Sequence, residues 1–322
     1  MVPESSDFGL TAENHGPTID RIATNCARIN KLMTYIRPDF LISTEELSDA
    51  LASNPERLCI FDVTVNLVPN PPGYKAVSGR EDYENEHIPG AAFLDLIGDF
   101  SDVTSGLGFT LPSEQHLQSA YRAAGVSNDS QVVFYSTGHM MWATRAWWML
   151  HSCGHKNVAV LDGGFAKWQS ENRATSGDSA TPASGNFSVE FNPARWADKA
   201  NVVAAINDSE TCTINALSPG VYSGEAEMNY GRKGHIEGSK NVFYDEVLDN
   251  GCFRNAAELK TLFSEKGVLD NPRVIAYCCG GISATIDALA LTLIGHDDVA
   301  VYDGSMSEWA KDESLSLVTG HD

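Results

Sequence analysis

Short apolar runs alternate along the chain with segments that have the apolar spacing of helices. The runs CIFDV (59–63), VVFYS (132–136) and VAVLD (158–162) are largely apolar, as expected for strands covered on both faces. The segments TRAWWMLHSCG (144–154) and TIDALALTLIG (285–295) have helical spacing, and each ends at a glycine typical of a helix C-terminus. This alternation predicts an α/β fold with an open, mostly parallel sheet flanked by helices, whose sites lie at the carboxyl ends of strands.

An internal repeat runs through the chain. The segment GHKNVAVLDGGFAKW (154–168) returns 141 positions later as GHDDVAVYDGSMSEW (295–309). Upstream, HIPGAAFLD (87–95) returns as HIEGSKNVFYD (235–245). Because the matches follow one another in the same order in both copies, they predict a duplicated domain.

The stretch between the two copies, ENRATSGDSATPASGN, is rich in Ser, Ala, Gly, Thr and Pro and has no apolar periodicity, so it is expected to be a linker. The first twenty residues carry acidic but no basic side chains, which does not fit a transit peptide, and they lack the apolar core of a secretory signal. The predicted organisation is a poorly ordered extension over 1–37, a first domain over 38–170, a linker over 171–194 and a second domain over 195–322.

The excess of acidic residues limits the kinds of partner that the protein is expected to bind. The chain has 43 acidic against 22 basic residues, a formal net charge of -21, which disfavours nucleic acid and anionic membranes. No apolar run approaches the roughly 18 to 20 residues of a membrane span. Seven cysteines without framework spacing indicate reduced thiols. We therefore expect a cytoplasmic protein, in preference to a mitochondrial one.

Two adjacent cysteines, Cys278 and Cys279, follow the apolar run RVIAY and precede a helix expected to begin near Ala284. They form no C-x-x-C pair and have no paired histidines nearby, so a metal site is not expected. Backbone N–H groups around such a loop, backed by a helix N-terminus, form an anion-binding nest, and Gly280 and Gly281 let the backbone curl. Such settings lower a cysteine pKa from about 8.5 to roughly 3.5–7.5. One of the two thiols is therefore predicted to be a nucleophile, the alternative being two buried cysteines at a strand end.

The elements GREDYENEHIPGA, LDGG…W and YDGS…EW resemble those of the two-domain rhodanese-like sulfurtransferases, which include thiosulfate and 3-mercaptopyruvate sulfurtransferases. The resemblance extends from about residue 38 to about residue 315. It implies two tandem rhodanese-like domains, each an open, mostly parallel sheet flanked by helices.

In that family a six-residue loop starts with the catalytic cysteine, carries Gly fourth, and then an aliphatic residue and Ser or Thr. The segment CCGGIS matches this frame, which makes Cys278 the implied nucleophile. The implied loop around the substrate and persulfide consists of Cys279, Gly280, Gly281, Ile282 and Ser283. Cys279 is interpreted as a small loop residue, with an accessory thiol as the alternative.

The resemblance also implies the reaction. Cys278 would take a sulfane sulfur from a small donor of the thiosulfate or 3-mercaptopyruvate type and pass it to cyanide or a thiol. No cofactor or metal is implied, and a monomer is expected because the duplication provides both walls of the cleft. The first copy has Ser136 and Thr137 at the cysteine position, so it is expected to be non-catalytic.

The chain departs from the family where anionic donors are held. Cys279 and Gly280 replace the basic residues of thiosulfate enzymes, Phe109 falls at the relay histidine of mercaptopyruvate enzymes, and Leu217 replaces a second-domain arginine. Arg232, in YGRKGHIEG, is the remaining candidate for substrate binding, with a solvated charged loop as an equal alternative.

Most of the other polar side chains near the motifs are expected to have structural roles. His139 is expected to be a plain loop histidine, with a histidine facing the cleft as the alternative. Arg145 is expected to be a buried structural partner, and Asp162 and Asp303 turn residues. His87 and His235 are expected to make structural hydrogen bonds.

The sequence also bears on two other functions, a phosphatase and a persulfide carrier. A phosphatase of this fold would need an arginine near the position of Ala284, which excludes that class. A persulfide carrier or regulatory rhodanese module, acting on a protein partner rather than as a metabolic enzyme, is the alternative kept open.

Overall fold

A computed structural model describes the protein over residues 35–53, 55–71, 73–178 and 182–321. Most of the predicted N-terminal extension, residues 1–34, lies outside these ranges. Its last residues contact the second half of the chain, where the Ile36 N–H donates to the Leu293 carbonyl at 2.9 Å.

The first half of the chain builds a five-stranded sheet and a separate hairpin. Its strands, in chain order, are β1 (Leu41–Ile42), β2 (Leu58–Asp62), β3 (Val65–Asn70), β4 (Gly73–Ser78), β5 (Ala92–Phe93), β6 (Gln131–Tyr135) and β7 (Val158–Leu161). The sheet order is β1-β7-β6-β2-β5, with every pair parallel, while β3 and β4 form an antiparallel hairpin.

The second half repeats this arrangement. Its strands are β8 (Trp196–Ala197), β9 (Thr211–Asn215), β10 (Lys240–Asn241), β11 (Leu248–Asp249), β12 (Cys252–Phe253), β13 (Arg273–Tyr277) and β14 (Val299–Tyr302). The sheet order is β8-β14-β13-β9-β10, again entirely parallel, with β11 and β12 as a small antiparallel pair. The predicted fold class, two copies of an open parallel sheet flanked by helices, is confirmed.

Helices connect the strands of both sheets. They are α1 (Thr44–Ser53), α2 (Arg80–Asn85), α3 (Glu114–Ala123), α4 (Met141–Ser152), α5 (Gly164–Ser170), α6 (Lys199–Ala205), α7 (Pro219–Ser223), α8 (Ala256–Glu265), α9 (Ala284–Leu293) and α10 (Ser305–Trp309). Short 3₁₀ turns cover Pro38–Phe40, Pro55–Arg57, Pro193–Arg195 and Val268–Asp270. No helix within the described ranges combines the length and the hydropathy of a membrane span.

The helices α4 and α9 lie at the centre of the molecule and contact each other. Every residue of α9 is buried, and the apolar core runs without a break from the first sheet to the second. Both helices end where the sequence predicts, before Gly154 and Gly295, whose φ values of 89° and 88° are left-handed. The two halves therefore share one core rather than meeting at a polar surface.

The predicted linker is held against the first half. Within its described part, the Phe187 ring is buried and the Phe187 N–H donates to the Val126 carbonyl at 3.1 Å. Further along, the Glu190 N–H donates to the Cys153 carbonyl at 2.9 Å. Backbone hydrogen bonds therefore fix this segment although it forms no long helix or strand.

Candidate active site

Cys278 follows directly after Tyr277, the last residue of β13. Because β13 lies between β9 and β14, this position is at the carboxyl end of a central strand, where parallel sheets place their sites. The residue is 1% exposed. The loop from Cys278 to Ser283 leads into α9, which begins at Ala284 as expected from the sequence.

One hydroxyl group holds the loop together. The Ser305 Oγ accepts the N–H groups of Cys278 at 3.1 Å and of Gly281 at 3.0 Å, and donates to the Tyr302 carbonyl at 2.6 Å. Sequence reasoning missed this role, since it interpreted the DGS motif only as a turn. The signal was the difference between the copies, because the first domain has Gly164 at the position equivalent to Ser305.

The loop carbonyls are bonded to the start of α10. The Met306 N–H donates to the Cys278 carbonyl at 3.1 Å, and the Ser307 N–H donates to the Cys279 carbonyl at 2.8 Å. Several loop N–H groups, in contrast, have no hydrogen-bond partner among the residues that the structure describes. They belong to Cys279, Gly280, Ile282 and Ser283. The arrangement is that of a loop able to hold an anion by its amides.

The second cysteine has a different environment. The Cys279 Sγ lies 3.6 Å from the Ser307 Oγ, and the Tyr230 hydroxyl is close enough to act on the pKa of Cys279. Burial, and secondly the charge of Cys278, raises the pKa of Cys279 to about 11. At neutral pH Cys279 is therefore a protonated thiol.

Two tyrosines lie close enough to Cys278 for that residue to influence their pKa values. Burial, followed by the charges of Cys279 and Cys278, raises the pKa of Tyr230, and burial, Asp245 and Cys278 raise that of Tyr244. Both phenols are therefore neutral hydrogen-bonding groups at physiological pH. Sequence reasoning missed them, because nothing in their local patterns distinguishes them from ordinary loop tyrosines.

The first domain supplies one wall of this site. Arg145, on α4, is 1% exposed and donates to the Gly281 carbonyl at 3.1 Å, to the Phe109 carbonyl at 2.5 Å and to Asp303 at 2.7 Å. The Leu111 N–H donates to the other oxygen of Asp303 at 2.8 Å. The prediction of Arg145 as a buried structural partner is confirmed, whereas Asp303 is an inter-domain acceptor as well as a turn residue.

The chain matches the rhodanese-like domain over residues 43–171 and 221–312. It belongs to the rhodanese-like family. It is 34% identical over 248 residues to a 3-mercaptopyruvate sulfurtransferase of Escherichia coli, covering 76% of this chain and 88% of that protein. It is 33% identical over 277 residues to a thiosulfate sulfurtransferase of Rattus norvegicus, covering 84% of this chain and 91% of that protein.

A solved structure agrees with these relatives. The crystal structure of SseA from Escherichia coli, described as a 3-mercaptopyruvate sulfotransferase with the rhodanese fold, superposes with a TM-score of 0.73 at 29% identity. The match covers 83% of this chain and 98% of that one. The prediction of a sulfurtransferase built from tandem rhodanese-like domains is therefore confirmed at the level of family, fold and enzyme class.

Arg232 of this rhodanese-like protein is bonded to the protein backbone. Its guanidinium donates four hydrogen bonds to backbone carbonyls at the end of α10 and beyond. The acceptors, at 2.9 to 3.2 Å, are Trp309, Ala310, Asp312 and Leu315. This geometry favours a structural role, and it also differs from the solvated charged loop weighed as the alternative.

The loop of the first rhodanese-like domain begins with Ser136, directly after β6, and the Ser136 Oγ donates to the His139 carbonyl at 2.9 Å. The His139 ring contacts the Tyr244 ring edge-on at 4.9 Å, and its Nε2 lies 3.8 Å from Asp245. Burial lowers the pKa of His139. His139 thus lies at the contact with the second domain, which agrees with the alternative of a histidine facing the cleft rather than with a plain loop histidine.

The histidines of the two HI turns behave alike. The His87 Nδ1 lies 2.6 Å from the Tyr83 carbonyl, and the His235 Nδ1 lies 2.8 Å from the Tyr222 carbonyl. Each ring stacks on the tyrosine whose carbonyl it contacts. The predicted structural hydrogen bonds are confirmed. Over the described ranges, no group of three or more histidine, cysteine, aspartate or glutamate side chains is placed to hold a metal ion.

Proposed function

We propose that Cys278 carries the sulfur transferred by this enzyme, taking it from a small donor of the thiosulfate or 3-mercaptopyruvate type. The observation that carries the proposal is the placement of Cys278 at the end of β13, as the first residue of a loop with unpartnered amides. Two relatives are named for these donors. The acceptor would be cyanide or a thiol.

The reaction is a double displacement. The Cys278 thiolate attacks the sulfane sulfur, the bond between that sulfur and the donor breaks, and its electron pair leaves with sulfite or with the enolate of pyruvate, which then takes a proton. The acceptor then attacks the terminal sulfur of the Cys278 persulfide, and the thiolate is released with the electron pair of the S–S bond. Negative charge stays near the loop in both steps, so the same amides stabilise each state.

Recognition of the donor is proposed to rest on hydrogen bonds. Polar groups beside Cys278 include loop amides, the Cys279 thiol and the hydroxyls of Tyr230 and Tyr244. These groups are neutral at physiological pH, unlike the guanidinium expected from Arg232.

The first domain is proposed to support the reaction without catalysing it. Its own loop starts with Ser136, a far weaker nucleophile than a thiolate when no base activates it. It contributes Arg145 and the segment Phe109–Leu111 to the wall of the second-domain site. Since one chain supplies both walls, we propose that the monomer is the active unit.

Mass spectrometry of the intact protein tests the proposed carrier. Incubation of the full chain with thiosulfate or 3-mercaptopyruvate should add about 32 Da, one sulfur atom, as a reversible persulfide. Cys278→Ser should abolish the addition, and Cys279→Ser should retain it. If Cys279→Ser abolished it while Cys278→Ser did not, the nucleophile would be Cys279 and the loop frame would be wrong by one residue.

A further inference from the structure

Arg145 is an asymmetric feature of an otherwise duplicated molecule. It stands on α4 of the first domain, yet its guanidinium reaches the second-domain loop at the Gly281 carbonyl, 3.1 Å away, and lies over the Trp196 ring at 4.7 Å. The equivalent position in the second copy is Ile286, an apolar residue. The Arg145 guanidinium therefore contacts the loop that carries Cys278. The equivalent residue Ile286 has no guanidinium that could contact the first-domain loop in the same way.

The carboxylate that neutralises this guanidinium does have a counterpart. Asp303 binds Arg145 at 2.7 Å and accepts the Leu111 N–H at 2.8 Å. In the first copy, Asp162 accepts the Phe253 N–H at 2.9 Å. Both halves thus use an aspartate to hold a backbone segment of the other half, and Asp303 also binds the Arg145 guanidinium.

Arg145 acts on one particular peptide group. Gly281, with φ of 70°, donates its N–H to Ser305 and accepts from Arg145 with its carbonyl, so it is held on both sides. In a trans peptide the C=O and the following N–H point in opposite directions. The bond to Arg145 therefore turns the N–H of Ile282 away from the guanidinium.

The same geometry recurs at two earlier carbonyls of the loop. Those of Cys278 and Cys279 are held by the N–H groups of Met306 and Ser307. By the same peptide geometry, these bonds direct the N–H groups of Cys279 and Gly280 away from α10. Arg145 completes this set, because it does for a third peptide what the start of α10 does for the first two.

We propose that Arg145 is a positioning residue for Cys278: it orients the peptide between Gly281 and Ile282 so that the Ile282 N–H is presented to the sulfur. The inference rests on the function proposed above and adds a first-domain residue to it. Without the guanidinium, this peptide is free to rotate, and the thiolate loses one of the hydrogen bonds that stabilise it.

The test is the rate at which iodoacetamide alkylates Cys278 as a function of pH, with peptide mapping to separate it from Cys279. Arg145→Lys keeps a charge opposite Asp303, but an ammonium lacks the fork that binds the carbonyl and the carboxylate together. We expect the pH of half-maximal alkylation to rise by about one unit and the rate at pH 7 to fall ~10-fold. The unfolding midpoint should fall, because buried hydrogen bonds are lost, but the variant should remain folded under the conditions of alkylation.

A double variant and a matched control complete the design. Arg145→Met combined with Asp303→Asn removes both charges, so no unpaired charge is buried, and it should show the same upward shift. Asp162→Asn weakens the equivalent aspartate contact at the other loop and should leave the alkylation profile of Cys278 unchanged.

Three results would overturn the proposal. They are a parental profile in both Arg145 variants, an equal shift in Asp162→Asn, or loss of folding in all the Arg145 variants, which would assign the guanidinium to stability alone. Alkylation requires no sulfur donor, so the two proposals can fail separately. If the Arg145 variants show these shifts but the parent protein never gains sulfur, the proposed function is refuted and the role of Arg145 stands.

Discussion

The Oγ1 atoms of Thr144 and Thr285 lie 2.7 Å apart where α4 and α9 meet. The two residues are separated by 141 positions, which is the offset of the internal repeat. Each is therefore the counterpart of the other, and contact between equivalent residues is what a two-fold relation between two copies produces. The approximate two-fold axis that relates the two copies therefore passes through the shared core, between Thr144 and Thr285.

A double-mutant cycle should detect this contact. Thr144→Val and Thr285→Val each remove one buried hydroxyl, and each should lower the free energy of unfolding by about 1 kcal/mol. Because the two hydroxyls bond to each other, the double variant should cost less than the sum, by about 0.5 to 1 kcal/mol. Urea unfolding measures both quantities, and strictly additive costs would show that the hydroxyls do not interact.

Adjacent glycines of the loop should respond differently to alanine. Gly281 has φ of 70°, and a Cβ there would lie 2.9 Å from the Asp303 carbonyl oxygen and 3.1 Å from Arg145 Nη1. We expect Gly281→Ala to distort the loop, at a cost of about 1 to 3 kcal/mol, and to reduce the rate of persulfide formation at least ~10-fold.

Gly280→Ala is the matched comparison. A Cβ at Gly280 would lie 3.6 Å from the Gly108 carbonyl oxygen, which is an ordinary contact. Its effect on persulfide formation should be far smaller, as measured by the mass gained per minute with thiosulfate. Equal losses in the two variants would show that the left-handed conformation of Gly281 is not what the loop requires.

Arg232→Ala should affect stability rather than donor binding. The side chain holds four backbone carbonyls after α10, so its removal should lower the free energy of unfolding by about 2 kcal/mol or more. The KM for the donor should be unchanged. Lys233→Ala, at the exposed neighbouring position, is the control and should change neither quantity. A raised KM with parental stability would restore Arg232 as a substrate-binding residue.

The reactivity of Cys279 should depend on pH in a defined direction. Burial raises its pKa from 9.0 to about 11, so in the folded protein the thiol ionises only at strongly alkaline pH. At pH 8 iodoacetamide should label Cys278 and spare Cys279, whereas both should be labelled in denaturant. Labelling of Cys279 at pH 8 in the folded protein would contradict the protonated thiol.

The same shift has a consequence for stability. Between pH 9.0 and about 11 the unfolded chain loses the Cys279 proton while the folded chain keeps it, so this residue favours unfolding increasingly as the pH rises. The stability of Cys279→Ser should therefore fall less steeply than that of the parent over this interval, as followed by urea unfolding at several pH values. Parallel curves would show that burial does not hold the proton on Cys279.

Features that depend on short stretches of chain could be predicted from the sequence. The apolar runs, the repeat and the glycines that end α4 and α9 are local patterns, and they predicted the parallel sheets and the helix ends. The position of Cys278 at the end of a strand followed in the same way. Backbone geometry and apolar spacing act over a few residues, and a sequence displays them directly.

Contacts between distant segments could not be predicted in this way. Arg145 and the Gly281 carbonyl are 136 positions apart, and Ser305 holds the Cys278 N–H across 27 positions. Arg232 had the residue type of an anion ligand, but the path of the chain after α10 satisfies its guanidinium with carbonyls. The sequence by itself determined the family, the fold and the cysteine that the family frame selects. Only the tertiary structure decided which groups surround that cysteine, because a side chain acts on whatever the folded backbone brings within hydrogen-bond distance.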